Sequence, residues 1–192
     1  MTSLSKRQVQ IIKLLMKDGR MKLKSIGSKL GISHTAVKKH LEAMRRKGVL
    51  KISPLLNPEK LGLVMAVLLL EIDRIENIEE VAERFRECPR LVLLSRALGP
   101  YNMIGLVVAE DYRVLDILLG ECMLRVSEGI RRSEVMPLTT IYQPSHIQIK
   151  VPEKIRPRAP CGADCCNCNY FLKEACPGCP ATSCYRGWLS PV

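Results

Sequence analysis

Residues 4–51 read LSKRQVQIIKLLMKDGRMKLKSIGSKLGISHTAVKKHLEAMRRKGVLK, and the punctuation of this stretch decides how the chain folds. Ser5 can cap a helix, Gln8 can reach back from the third helical position, and Leu4 can pack on Val9. Val9, Ile12, Leu15 and Met16 then recur at helical spacing until Asp18-Gly19 stops the run. A short second helix is predicted from Leu23 to Leu30, closed by Gly31. Ser33 then caps a third helix over residues 36–47, with Ala36, Val37, Leu41 and Met44 inward and Gly48 at its end. Helix, short helix, Gly-Ile-Ser turn, helix is a helix-turn-helix arrangement.

Charge supports that reading. Residues 1–51 carry 14 Lys or Arg and two acids, while the other 141 carry 16 and 17, so the net charge of +11 lies in the first quarter of the chain. A basic module joined to a near-neutral body points to a polyanion, here double-stranded DNA. Lys22, Lys24, Ser33, His34, Thr35, Lys38, Lys39 and Arg45 are the candidate DNA-binding residues. Their cations would neutralise phosphates, and His34, Thr35, Lys38 and Lys39 would reach base edges.

From Leu61 the period changes. A β-rich run over residues 61–72 precedes an amphipathic helix marked by Ile78, Val81, Ala82 and Phe85. Strands over 91–98 and 101–109 are joined by Gly99-Pro100, a helix over 112–126 carries Leu115, Leu118, Leu119 and Cys122, and a strand follows over 130–142. Residues 146–151 suit a further edge strand. The order β-α-β-β-α-β is ferredoxin-like. The expected class is therefore α+β: a winged or three-helix helix-turn-helix domain (1–52), a ferredoxin-like body (53–151), a linker (152–160) and a cysteine-rich tail (161–192).

The head, the following LNPEKLGL and the β-α-β-β-α-β body together resemble the Lrp/AsnC (leucine-responsive) family of transcription regulators, over residues 4–151. The resemblance implies a DNA-binding head on a body that senses a small ligand and dimerises through its sheet, often assembling further. It also implies an amino-acid or other small effector near the turn Leu98-Gly99-Pro100-Tyr101-Asn102, with Gly99, Tyr101 and Asn102 as contacts. The family usually has an acidic residue where Asn102 stands, and Pro100 is atypical.

The tail reads CGADCCNCNYFLKEACPGCPATSC over residues 161–184, seven of the nine cysteines, behind the proline-rich spacer VPEKIRPRAP. Two C-x-x-C pairs, Cys165/Cys168 and Cys176/Cys179, have the spacing that turns two thiolates toward one ion, and Cys161 is a fifth candidate. Zinc fits the paired spacing, and a [4Fe-4S] cluster fits the triplet Cys161-x3-Cys165-x2-Cys168 with one more thiolate. A disulfide framework needs an oxidising compartment, and adjacent Cys165-Cys166 would suit a thiol sensor. Cys166 and Cys184 are poorly placed as ligands, whereas Cys88 and Cys122 read as small core residues. The tail is also similar to a small cysteine-rich module of archaeal and bacterial proteins, which names no metal.

Residues 1–10 lack the apolar run of a signal peptide, and the longest apolar stretch, 61–70, is about half a membrane span. A cytoplasmic protein with no membrane partner is expected. No paired His and carboxylate, nucleophile motif or phosphate loop stands out, so a regulator rather than an enzyme is expected. The alternative is a metal-dependent enzyme or redox carrier on the same two-domain layout.

Overall fold

A computed structural model describes residues 3–122, 129–153 and 155–189. The chain divides into two compact units, Met1–Pro54 and Leu55–Val192.

The first unit is built from α1 (Lys6–Lys17), α2 (Leu23–Leu30) and α3 (His34–Arg46). Its caps follow the local sequence. Ser5 Oγ accepts from the Gln8 amide at 3.2 Å, and Gln8 Oε1 accepts from the Ser5 amide at 2.9 Å, closing the expected capping box. Gly31 ends α2 with φ of 64°. Ser33 Oγ accepts from the Ala36 amide at 3.1 Å. With Ser33 as the cap, α3 starts at His34, two residues earlier than the apolar period suggested. Ile11, Ile26, Val37, Leu41 and Met44 make the core, and Leu15, Leu30, Ile32 and Leu50 pack around it.

The second unit carries β1 (Val64–Ile72), α4 (Ile75–Phe85), β2 (Leu91–Arg96), β3 (Met103–Ala109), α5 (Tyr112–Ile117) and β4 (Ile130–Leu138). Strand order is β2-β3-β1-β4, with every pairing antiparallel. That is the ferredoxin-like sheet, with β1-α4-β2 and β3-α5-β4 as crossovers. Alternation along β1 and β3 sends Ala66, Leu68, Leu70 and Val107 toward Ile78, Val81 and Phe85 of α4 and Val114, Leu115 and Leu118 of the α5 region. Cys88 lies in this core, as expected.

Three expectations change. The helix expected over 112–126 is α-helical only to Ile117 and continues as a π turn, Leu118–Cys122; its remainder and the Cys122 side chain lie outside the described residues. Residues 146–151 add no strand. They make a single bridge, Leu56 to Ile147, and bury Ile147 and Ile149 over Met65 and Val108 on the helix-free face of the sheet. An apolar pair on that face is more stable as a cover than as an exposed edge. The spacer is not a loose tether either. Arg156 donates its amide to Ala181 O at 2.8 Å, its guanidinium meets Glu87 at 2.6 Å, and Ala159 is buried. The tail, with α6 (Asn169–Leu172) and a turn of 3-10 helix at Cys165–Asn167, packs within the second unit.

Candidate nucleic-acid interface and thiol chamber

In the first unit the functional face is set by how closely α2 approaches the turn behind it. A Cβ on Gly27 would stand 2.6 Å from Ile32 O, so only glycine lets the turn close this tightly. The Ile32 amide donates to Gly27 O at 3.0 Å, and Ile32 packs onto the core, which aims α3. Ser33, His34, Thr35, Lys38, Lys39 and Arg45 are all exposed on or at the start of α3, and Lys22 and Lys24 are exposed at the start of α2. Lys38 lies 3.8 Å from Glu42 across one helical turn, a solvated pair that contributes little stability and leaves both ends accessible. The arrangement is a basic ridge with short polar groups at its leading end.

The turn expected to hold an effector has a different local logic at Asn102. β1 and β4 shift register between Glu71 and Ile72, which takes the Ile72 backbone out of the regular ladder. Asn102 satisfies it: its Nδ2 donates to Ile72 O at 2.7 Å, and its Oδ1 accepts from the Ile72 amide at 2.9 Å. Asn102, one of the three residues expected to contact an effector, thus has both ends of its side-chain amide bonded to the Ile72 backbone. Gly99 and Tyr101 remain at the turn, with Arg132 stacked 5.4 Å from the Tyr101 ring centre. Asn102→Asp removes the donor and sets a carboxylate against a carbonyl. Urea unfolding should report a loss of about 1–3 kcal/mol.

In the second unit, Cys161, Cys165, Cys168, Cys176 and Cys179 line one cavity of about 360 Å³, together with Cys88 and Arg90 of the body. Those six cysteines are in no disulfide. The two tail cysteines set aside as poor ligands, Cys166 and Cys184, are joined instead in a disulfide and do not line the cavity. One cystine thus forms where a disulfide framework was only an alternative, because the loop after Cys179 returns Cys184 to within 5.6 Å, Cα to Cα, of Cys166. Cys165 and Cys179 are buried together with Ala159 and Ala181, and Cys161 packs against them. Burial pushes the Cys88 thiol up to about 12 against the pull of the Arg90 backbone amide, so it stays protonated. Among the described residues, no three His, Cys, Asp or Glu form a group tight enough to hold a metal ion as they stand.

Arg90, whose side chain is 5% exposed, is among the residues lining the cavity. Its two terminal nitrogens bond Glu110 at 2.6 and 2.9 Å, and Nη2 also donates to Gly178 O, inside the Cys-Pro-Gly-Cys turn, at 2.8 Å. Tyr185 completes the set by donating to Glu110 Oε1 at 2.7 Å. Burial, then the bond to the Glu110 carboxylate, holds the Tyr185 phenol well above its ordinary range, so it remains a donor. Burial alone would lower Arg90; the Glu110 bond and charge more than offset it and leave the guanidinium firmly charged. Sequence reading missed Arg90, since an arginine after Cys88-Pro89 carries no motif and resembles any surface charge.

Residues 4–51 match the family model described as winged helix-turn-helix DNA-binding. The chain is 32% identical over 109 residues to the HTH-type transcriptional regulator LrpA of Pyrococcus horikoshii, covering 56% of this chain and 77% of that protein. It is 28% identical over 120 residues to the HTH-type transcriptional regulator Ptr1 of Methanocaldococcus jannaschii, covering 62% and 80%. Among solved structures, AsnC of Escherichia coli superposes with a TM-score of 0.63 at 14% identity, over 73% of this chain and 95% of that one. A Neisseria meningitidis transcriptional regulator in complex with L-Met gives 0.64 at 17%, over 73% and 93%. At such identities the structural likeness is one of fold.

Proposed function

The chain belongs to the Lrp/AsnC family of helix-turn-helix transcriptional regulators, and from that premise we propose that α3 is the helix that enters the major groove of double-stranded DNA. The observation that carries this is the exposed basic ridge of α3, aimed by the Gly27 contact and led by Ser33, His34 and Thr35. Lys38, Lys39 and Arg45 neutralise phosphates, and the polar groups of the first turn face base edges. The protein acts in the cytoplasm, where it meets DNA.

We further read the regulator as a homodimer or larger assembly joined through the body. Leu93, Leu106, Val67 and Met136 are paired in one row across all four strands, on the face opposite the helices. Leu93 and Met136 are 50% and 47% exposed, an apolar row that a second copy would cover. Two heads on a two-fold axis favour a roughly palindromic site. We propose an amino-acid or other small effector for the turn that carries Gly99, Tyr101 and Asn102; the Neisseria regulator, similar in fold, is in complex with L-Met.

The test is a gel-shift series at several salt concentrations on Lys38→Ala/Lys39→Ala. Affinity is expected to fall at least about tenfold, with the salt dependence shallower by about two counter-ions. Unchanged affinity with an unchanged slope removes α3 from the interface.

A further inference from the structure

A cleft of about 580 Å³ opens where the tail meets the start of α5, lined by residues of neither the α3 ridge nor the β2–β3 turn. The body supplies Leu61, Arg113 and Val114, and the tail supplies Glu174, Arg186 and Trp188. Small-molecule sites occupy about 300–1,000 Å³, so the cleft has the size of one. It exists only because the tail folds onto the body, which contributes just one side of it.

The tail side is held in place by the fold itself. Cys184 is tied to Cys166, Tyr185 donates to Glu110 Oε1 at 2.7 Å, and the Arg186 amide donates to Pro177 O at 2.9 Å. A Cβ on Gly187 would collide with the Tyr185 ring, so glycine lets the chain pass over that ring and present Trp188. Trp188 packs on the cluster of Leu63, Met65, Val108, Ile147 and Ile149 and is half-buried, which leaves part of the indole to line the cleft. A wall set in advance lowers the ordering cost of binding.

Most charges of the lining already have partners. Glu110 is taken by Arg90 and Tyr185, and Asp111 Oδ1 accepts from the Val114 amide at 2.7 Å as the cap of α5. Arg186 stacks 4.5 Å from the Phe171 ring centre and lies 3.7 Å from Glu174. Arg113 is different: it is exposed on the first turn of α5 and has no hydrogen bond or ion pair among the described residues. An open guanidinium beside an indole and the exposed Leu61 is complementary to a carboxylate carried on an apolar body. The fork of the arginine matches the two carboxylate oxygens, and the aromatic and aliphatic surfaces take the rest. A dianion such as phosphate would set its second charge against Asp111 and Glu174 on the same lining.

We propose that this cleft binds a small organic monocarboxylate with an apolar body, the carboxylate held by Arg113 and the body lying against Trp188 and Leu61. The ligand bridges α5 and the C-terminal segment, so its occupancy adds a contact between body and tail. The site is separate from the β2–β3 turn and independent of how the head meets DNA.

Trp188 is the only tryptophan of the chain, so its emission reports on the cleft directly. Titrating the full-length protein with phenylacetate should change Trp188 emission saturably, and Arg113→Ala should raise the midpoint at least about tenfold. Arg113 is exposed, so this variant should melt with the wild type, which thermal unfolding checks. Trp188→Ala, followed by calorimetry, should weaken binding by about tenfold. Phenylacetamide, the same body without the charge, should not bind. L-Phenylalanine distinguishes two sources of the carboxylate: tighter binding than phenylacetate assigns the cleft to an amino acid, weaker binding to a plain organic acid, and either supports the site. The proposal is overturned if neither compound gives a saturable response, if Arg113→Ala leaves the midpoint unchanged, or if phenylacetamide binds as well as phenylacetate. A midpoint that moves in Tyr101→Ala but not in Arg113→Ala places the ligand at the β2–β3 turn and overturns it too.

Discussion

Replacing Arg90 by alanine should lower the stability of the body by about 3–5 kcal/mol, the range for breaking a buried ion pair from one side. The side chains of Arg90 and Glu110 are 5% and 16% exposed, so the carboxylate left behind cannot recover its hydration. Tyr185 still donates to Glu110, but the Gly178 carbonyl loses the Arg90 donor. The matching experiment is a double-mutant cycle read by thermal unfolding. Arg90→Met/Glu110→Gln should recover most of the loss, because it removes the stranded charge along with the attraction. If Arg90→Ala unfolds within about 0.5 kcal/mol of wild type, the pair is not the pin between body and tail that the bond network describes.

Gly27→Val should have the next largest effect, about 3 kcal/mol, at the top of the range for overpacking a well-fitted site. The obstacle is backbone: Ile32 O lies 2.6 Å from where a Cβ must go, with the Ser33 carbonyl carbon and the His34 nitrogen at 3.4 Å. Moving those atoms moves the start of α3, so the variant should lose DNA affinity beyond what its unfolded fraction explains. Gel shifts at low temperature, where the variant is mostly folded, separate the two effects. A variant that melts like wild type would mean that the turn can open without cost.

The head was legible because its determinants are local. Ser5 with Gln8, Gly31 and Ser33 act on groups three or four residues away, and each makes the bond or takes the backbone angle read from the sequence. The body's element order was legible for a related reason: period 2 and period 3.6 announce a strand or a helix wherever one face is buried. The strand expected over 146–151 failed because an apolar alternation is satisfied equally by pairing at an edge or by lying across a sheet face. The Asn102 clamp was hidden because its partner is the Ile72 backbone, freed by a register shift that no side chain announces.

The sequence by itself determined that this protein is a basic helix-turn-helix head on an α+β body, and which cysteines have the spacing of ligands. Capping, periodicity and charge are short-range properties, written in neighbouring residues. Only the tertiary structure decided that the tail folds onto the body, that Cys166 pairs with Cys184, and that five other thiols meet Cys88 and Arg90 around one cavity. Those outcomes depend on contacts between residues as far apart as Arg90 and Gly178, where chain closure and burial, not spacing, select the partner.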